Sequence, residues 1–127
     1  RTKSKLEVQL SEELYNDIIT SEMISIIPPV GFLDIISLEK NARMIITDSG
    51  GLQKESYFFR KPCIILRPQT EWVEIVENGN AILADANYDK ILNAFNNLIT
   101  QKDYTYPELF GDGKAAEFIC QKVLDHL

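Results

Sequence analysis

Four short apolar runs, Met23-Ile24-Ser25-Ile26-Ile27, Arg43-Met44-Ile45-Ile46-Thr47, Cys63-Ile64-Ile65-Leu66 and Ala81-Ile82-Leu83, alternate with segments whose apolar residues recur every three to four positions. No other feature of the chain constrains its fold as strongly. Short runs rich in Ile suit strands buried on both faces, and the segments between them suit amphipathic helices. No two runs are joined by the two-residue Asn-Gly or Asp-Gly loop of a hairpin. The pattern therefore predicts an α/β fold with a parallel sheet of four strands and flanking helices. Right-handed crossovers in such a sheet gather the helix-entering turns at the carboxyl edge of the strands, where ligands bind.

The first helical segment runs from Lys3 to Ile19, with Ser11-Glu12-Glu13 reading as a fresh N-cap within it. Phe32 to Lys40 and Leu52 to Phe59 follow, the latter closed by Arg60-Lys61-Pro62. Thr70 is expected to cap a short helix that continues through Glu77 and stops at Asn78-Gly79. Two more helices finish the chain, one from Tyr88 to Ile99 and one from about Asp112 that uses Ala116, Ile119, Val123 and Leu127. Neither a repeat nor a linker interrupts the pattern, so residues 1–127 read as one domain.

Composition narrows the classes of function. With 45% apolar and 25% charged residues the chain has the make-up of a soluble globular domain, not of a disordered or low-complexity one. Thirteen Lys and Arg against nineteen Asp and Glu leave a net charge of −6, which argues against nucleic acid or a membrane surface as partner. Any anion must be held locally. No window approaches the ~18 apolar residues of a membrane span. Cys63 and Cys120 lie far apart with no Cys-x-x-Cys or His pairing, so they read as reduced core thiols, as in a cytoplasmic protein, with no metal or other cofactor implied. The chain begins with Arg1, not Met, and is taken to be a piece of a longer one.

The stretch Thr47-Asp48-Ser49-Gly50-Gly51-Leu52-Gln53-Lys54-Glu55 joins an apolar run to a helix through two glycines. Free N–H groups and the positive end of a helix dipole favour an anion there, and glycines let it approach the main chain. Ser49 adds a hydroxyl. The stretch matches neither the P-loop nor the dinucleotide glycine pattern, so Asp48 or Ser49 as a plain N-cap beside a tight turn is the competing reading.

This stretch, together with Lys61-Pro62-Cys63, Leu66-Arg67, Thr70-Glu71-Trp72-Val73-Glu74 and Glu77-Asn78-Gly79, closely resembles the non-hydrolysing UDP-N-acetylglucosamine 2-epimerases. Arg1-Thr2 resembles the end of that family's His-Pro-Arg-Thr segment. Pro29-Val30-Gly31-Phe32 is similar to its uridine-side loop, and Gly111-Asp112-Gly113-Lys114-Ala115 to the turn before its last helix. The likeness spans nearly the whole chain, in order. It implies a Rossmann-like parallel sheet with flanking helices, the C-terminal half of a glycosyltransferase-B architecture, partnered by an N-terminal domain of the same parent chain.

Carried over residue by residue, the resemblance implies that Ser49, Gly50 and Gly51 bind the UDP diphosphate and that Glu55 holds the ribose hydroxyls. A rise of about 1.5 Å per residue puts Glu55 roughly 7 Å along a helix that starts near Gly50, a reach that suits a ribose beside its diphosphate. The other reading of Glu55 is a solvated residue paired with a nearby Lys. Val30 and Ile35 fall on positions near the uracil that in some bacterial members are Gln and Phe, with Phe32 as a substitute contact. Trp72 stands where many members have Arg, and Lys54 where many have Glu. Arg67, at a strand's carboxyl end, is a candidate neighbour of the diphosphate. Glu71, Glu74 and Glu77 read as a solvated helix face, Glu71 alternatively as a support to the site.

The reaction implied is inversion at C2 of UDP-GlcNAc to give UDP-ManNAc, by elimination of UDP to a 2-acetamidoglucal and its re-addition. It needs an acid/base at C2 and stabilisation of the departing UDP. The proton-transfer groups lie upstream in the family, so no catalytic residue is expected among these 127. His126 reads as a helix-end residue. A modified substrate, a UDP-2,3-diacetamido-uronate, is the nearest alternative, since that branch has similar Gln-Lys-Glu, Lys-Pro-Cys and Thr-Glu-Trp segments. A non-catalytic UDP-binding or interaction module is the alternative from another class. The expected partners are thus a UDP-sugar and the N-terminal domain, with a homodimer of the parent compatible with both.

Overall fold

The structure, a computed structural model, describes residues 2–126, with side-chain environments from Lys5 onward. Arg1, and Leu127 at the end of the last helical pattern, lie outside the described residues. The chain forms two compact units, the first ending at Ile35 and the second beginning at Ile36.

In the first unit, helices α1 (Thr2–Gln9) and α2 (Glu12–Thr20) part where Ser11 was expected to cap. The Ser11 hydroxyl accepts a 3.3 Å hydrogen bond from the Leu14 N–H, and Glu12 and Glu13 sit in the positive first turn. The strand expected over Met23 to Ile27 is not formed: the segment is irregular and Met23 is 93% exposed. An apolar run becomes a strand only where a neighbour takes its backbone groups, and these residues have no ladder partner among the described residues. Pro28 and Pro29, lacking N–H donors, prevent its extension. Helix α3 (Phe32–Asn41) follows, its residues from Ile36 onward belonging to the second unit.

The second unit is built on a parallel sheet of three strands, β1 (Ile45–Thr47), β2 (Cys63–Ile65) and β3 (Ala81–Leu83), in that order. Ile45, Ile46 and Thr47 pair with Cys63, Ile64 and Ile65, which pair in turn with Ala81, Ile82 and Leu83. The central strand β2 is fully buried, which is why it reads as an unbroken apolar run. Alternation along the strands builds a core on each face. Ile45, Cys63, Ile65 and Ala81 pack with Tyr57 of α4 (Gly50–Phe58) and Ile75 of α5 (Val73–Glu77). On the other face Ile64 packs with Ala94 and Leu98 of α6 (Tyr88–Thr100).

Asn87 caps α6 through a 2.9 Å hydrogen bond from the Lys90 N–H. Helix α5 starts later than expected, because Thr70 turns its hydroxyl elsewhere: it accepts from the Trp72 N–H at 3.1 Å and donates to Gln53 Oε1 at 2.6 Å. Gly79, with φ of +78°, supplies the left-handed residue that ends α5. Helix α7 (Ala115–Leu124) begins beyond Asp112, whose carboxylate accepts from the Lys114 N–H at 3.0 Å. Its Cys120 is exposed, contrary to the expected core position, whereas Cys63 is buried and its thiol pushed up to about 11 by desolvation. Among the described residues no helix is long and apolar enough to cross a membrane.

Candidate functional site

Strand β1 delivers the chain into the glycine turn. Thr47 is buried, and its hydroxyl accepts a 3.0 Å hydrogen bond from the Ser49 N–H, setting the turn's direction. Ser49 is the N-cap of α4 in extended conformation, and its carbonyl accepts the Gln53 N–H at 3.1 Å. Its side chain makes no capping bond. The hydroxyl and the N–H groups of the first helical turn are therefore available to an acceptor, at the positive end of the α4 dipole. Asp48 is exposed and does not cap the helix.

The loop after β2 closes over this turn. Arg67 and Glu71 form an ion pair at 3.1 Å, both side chains partly exposed. Glu71 lies so close to Gly50 that a Cβ at that position would collide with its carboxylate Oε1, and would come within 3.7 Å of Arg67 Nη1. Only glycine leaves that space open. The Glu71 carboxylate thus occupies the approach to the helix N-terminus, with Arg67 beside it. Glu71, read from the sequence as part of a helix face, instead precedes α5 and lies beside Gly50.

Trp72 buttresses the turn. Its indole N–H donates to the Gly50 carbonyl at 2.8 Å, and its ring meets Phe110 edge-on at 5.6 Å. Lys54 Nζ stands 4.4 Å from the Trp72 ring centre and 4.6 Å from that of Phe110. The Lys54 ammonium is thereby held over two aromatic rings.

Glu55, one turn further along α4, is half-buried and forms no ion pair with a lysine among the described residues. It lies beside Glu39 of α3, which is 3% exposed and has no hydrogen-bond donor for either carboxyl oxygen. Burial first, and the Glu55 carboxylate second, push Glu39 up to about 7. The sequence reading missed Glu39. The signal was present, because Ile35, Ile36 and Glu39 share one helical face at three- and four-residue spacing, and an acid on an apolar stripe is an anomaly. Gln53 was also missed: it is fully buried against Thr70, with its amide nitrogen unpartnered.

The structure brings Ser49, Gly50, Gly51, Arg67 and Trp72 together at the start of α4, with Glu55 a turn beyond. Val30, Phe32 and Ile35 belong to the first unit, where Val30 and Phe32 are exposed and Ile35 half-buried. His126 is exposed, its Nδ1 2.8 Å from the Lys122 carbonyl.

The chain is similar to known proteins over most of its length. Residues 3–124 match the family described as UDP-N-acetylglucosamine 2-epimerase. A UDP-N-acetylglucosamine 2-epimerase homolog of Methanococcus maripaludis is 42% identical over 116 residues, 91% of this chain and 31% of that protein. A UDP-2,3-diacetamido-2,3-dideoxy-D-glucuronate 2-epimerase of Pseudomonas aeruginosa is 39% identical over 98 residues, 77% of this chain and 28% of that protein. The crystal structure of Methanocaldococcus jannaschii UDP-GlcNAc 2-epimerase in complex with UDP-GlcNAc and UDP superimposes with a TM-score of 0.77 at 39% identity. That likeness covers 98% of this chain and 33% of the other. The chain spans about a third of the length of these relatives. With nearly all of its residues matched and its parallel α/β core shared, the chain belongs to the UDP-N-acetylglucosamine 2-epimerase family.

Proposed function

We propose that residues 1–127 are the UDP-binding C-terminal domain of a cytoplasmic nucleotide-sugar 2-epimerase, half of a glycosyltransferase-B architecture completed by an N-terminal domain. The whole enzyme is an isomerase that interconverts UDP-GlcNAc and UDP-ManNAc. This domain holds the departing UDP, while groups in the remainder of the protein exchange the proton at C2. The observation that carries the reading is the uncapped start of α4, where Ser49 makes no capping bond and Gly50 lies under Glu71 and Arg67. The diphosphate accepts from the Ser49 hydroxyl and the N–H groups that follow, and takes Arg67 from Glu71. Glu55 accepts from the ribose hydroxyls. These residues make no proton transfer to the sugar, so they do not epimerise it by themselves.

The diacetamido-uronate is the second substrate reading, favoured by the likeness to the Pseudomonas enzyme. The test is calorimetric titration of UDP into the full chain and its Ser49→Asp variant, with turnover of both UDP-sugars followed separately in the whole enzyme that contains it. A carboxylate at the N-cap repels the diphosphate, so UDP affinity falls at least about tenfold, a loss of roughly 1.4 kcal/mol. Unchanged affinity in a folded variant moves the site away from α4. Faster turnover of the uronate than of UDP-GlcNAc selects the second substrate.

A further inference from the structure

Glu39 is an acid with no structural reason to be where it is. It is 3% exposed, both carboxyl oxygens lack a donor, and among the described residues the charged group that faces it is Glu55. Lys40, next on the same helix, is exposed and forms no ion pair with it. A buried carboxylate without a partner costs several kcal/mol, and two facing carboxylates without a proton only repel. One proton between them resolves both problems: the acid donates, the carboxylate accepts, and the bond is of the strong charge-assisted kind. Burial makes Glu39 the member that keeps the proton, since desolvation penalises its charged form and holds it protonated up to about pH 7.

We propose that Glu39 is a positioning residue for nucleotide recognition: protonated, it donates to one oxygen of Glu55 and leaves the other free for the ribose hydroxyls. The proposal rests on the reading of Glu55 as the ribose acceptor. A carboxylate anchored through one oxygen has lost the rotation about its last bond, so less freedom remains to be lost when the ribose arrives. When Glu39 ionises the anchor becomes a repulsion, and Glu55 turns away.

UDP and 2′-deoxy-UDP, which carry the same diphosphate, are titrated by calorimetry at pH 6 and pH 8.5 into the full chain and into Glu39→Gln, Glu39→Leu and Glu55→Gln. The ratio of the two affinities cancels the ionisation of the ligand. The native preference for UDP, roughly fivefold or more at pH 6, is expected to shrink severalfold at pH 8.5. Glu39→Gln, a permanent donor, keeps the preference at both pH values, and Glu39→Leu loses most of it at both. A native preference that is the same at both pH values overturns the proposal even if the leucine variant does not fold. Loss of the preference in Glu55→Gln but not in Glu39→Leu overturns the role of Glu39 alone. An undiminished preference in Glu55→Gln overturns the ribose reading itself.

Discussion

The indole N–H of Trp72 is bonded to the carbonyl of Gly50 at 2.8 Å, so the loop after β2 is tied to the first residue of α4. The one polar atom of the Trp72 side chain is thereby committed to the protein. Its ring is packed on Phe110 and covered by Lys54. The tie also orients the segment that carries Arg67 and Glu71.

Trp72→Phe retains most of the aromatic packing and removes the N–H. The expected cost is about 1 kcal/mol of stability from the lost hydrogen bond. The measurement is urea unfolding of the full chain beside the variant; equal midpoints and slopes would show that the bond carries no net energy.

Gly50→Ala separates folding from binding. Its Cβ strikes the end of Glu71, a half-exposed side chain that swings away and releases Arg67. The exposed ion pair is worth less than about 1 kcal/mol, and alanine gains a similar amount over glycine in a helix, so stability is expected to stay within about 1 kcal/mol of native. The methyl group then fills the approach to the helix N-terminus, and UDP affinity falls at least about tenfold. Thermal melts and calorimetry on the same sample read the two effects; a variant that binds UDP as the native chain does would mean that the ligand never approaches Gly50.

Glu39 predicts a pH dependence of stability with a definite sign. Its carboxyl titrates near 4.5 when the chain is unfolded and at about 7 when folded. Between these values the unfolded state releases a proton that the folded state keeps, so stability falls as pH rises, and levels off above about 7. The total is on the order of 3 kcal/mol. Glu39→Gln lacks this titration and is expected to become more stable than the native chain above pH 7. Urea melts at pH 5, 6, 7 and 8 check it; parallel pH profiles for the two proteins would contradict it.

Arg60 ends α4 in the left-handed region, with φ of 56°. Its N–H bonds to Tyr57 O at 3.0 Å and that of Lys61 to Ser56 O at 2.8 Å, the pairing that usually surrounds a glycine. Arg60→Gly relieves the backbone strain at some entropic cost, for a net gain of about 0.5 to 1 kcal/mol. A lower melting temperature would show that the arginine side chain contributes more than its backbone costs.

The positions of β1, β2 and β3, the cap at Ser11, the stop at Gly79 and the glycine turn before α4 were legible in the residues themselves. Each depends on neighbours within a turn or a strand, through periodicity, a side chain that bonds a nearby N–H, or a backbone angle that glycine tolerates. Met23 to Ile27 marks the limit of that information, because a strand needs a partner and an apolar run does not specify one. Trp72 reaching Gly50, Glu71 overlying it, and Glu39 facing Glu55 were decided by tertiary structure alone. These contacts arise where the parallel sheet brings separate connections together, and neither composition nor spacing encodes which side chains then meet.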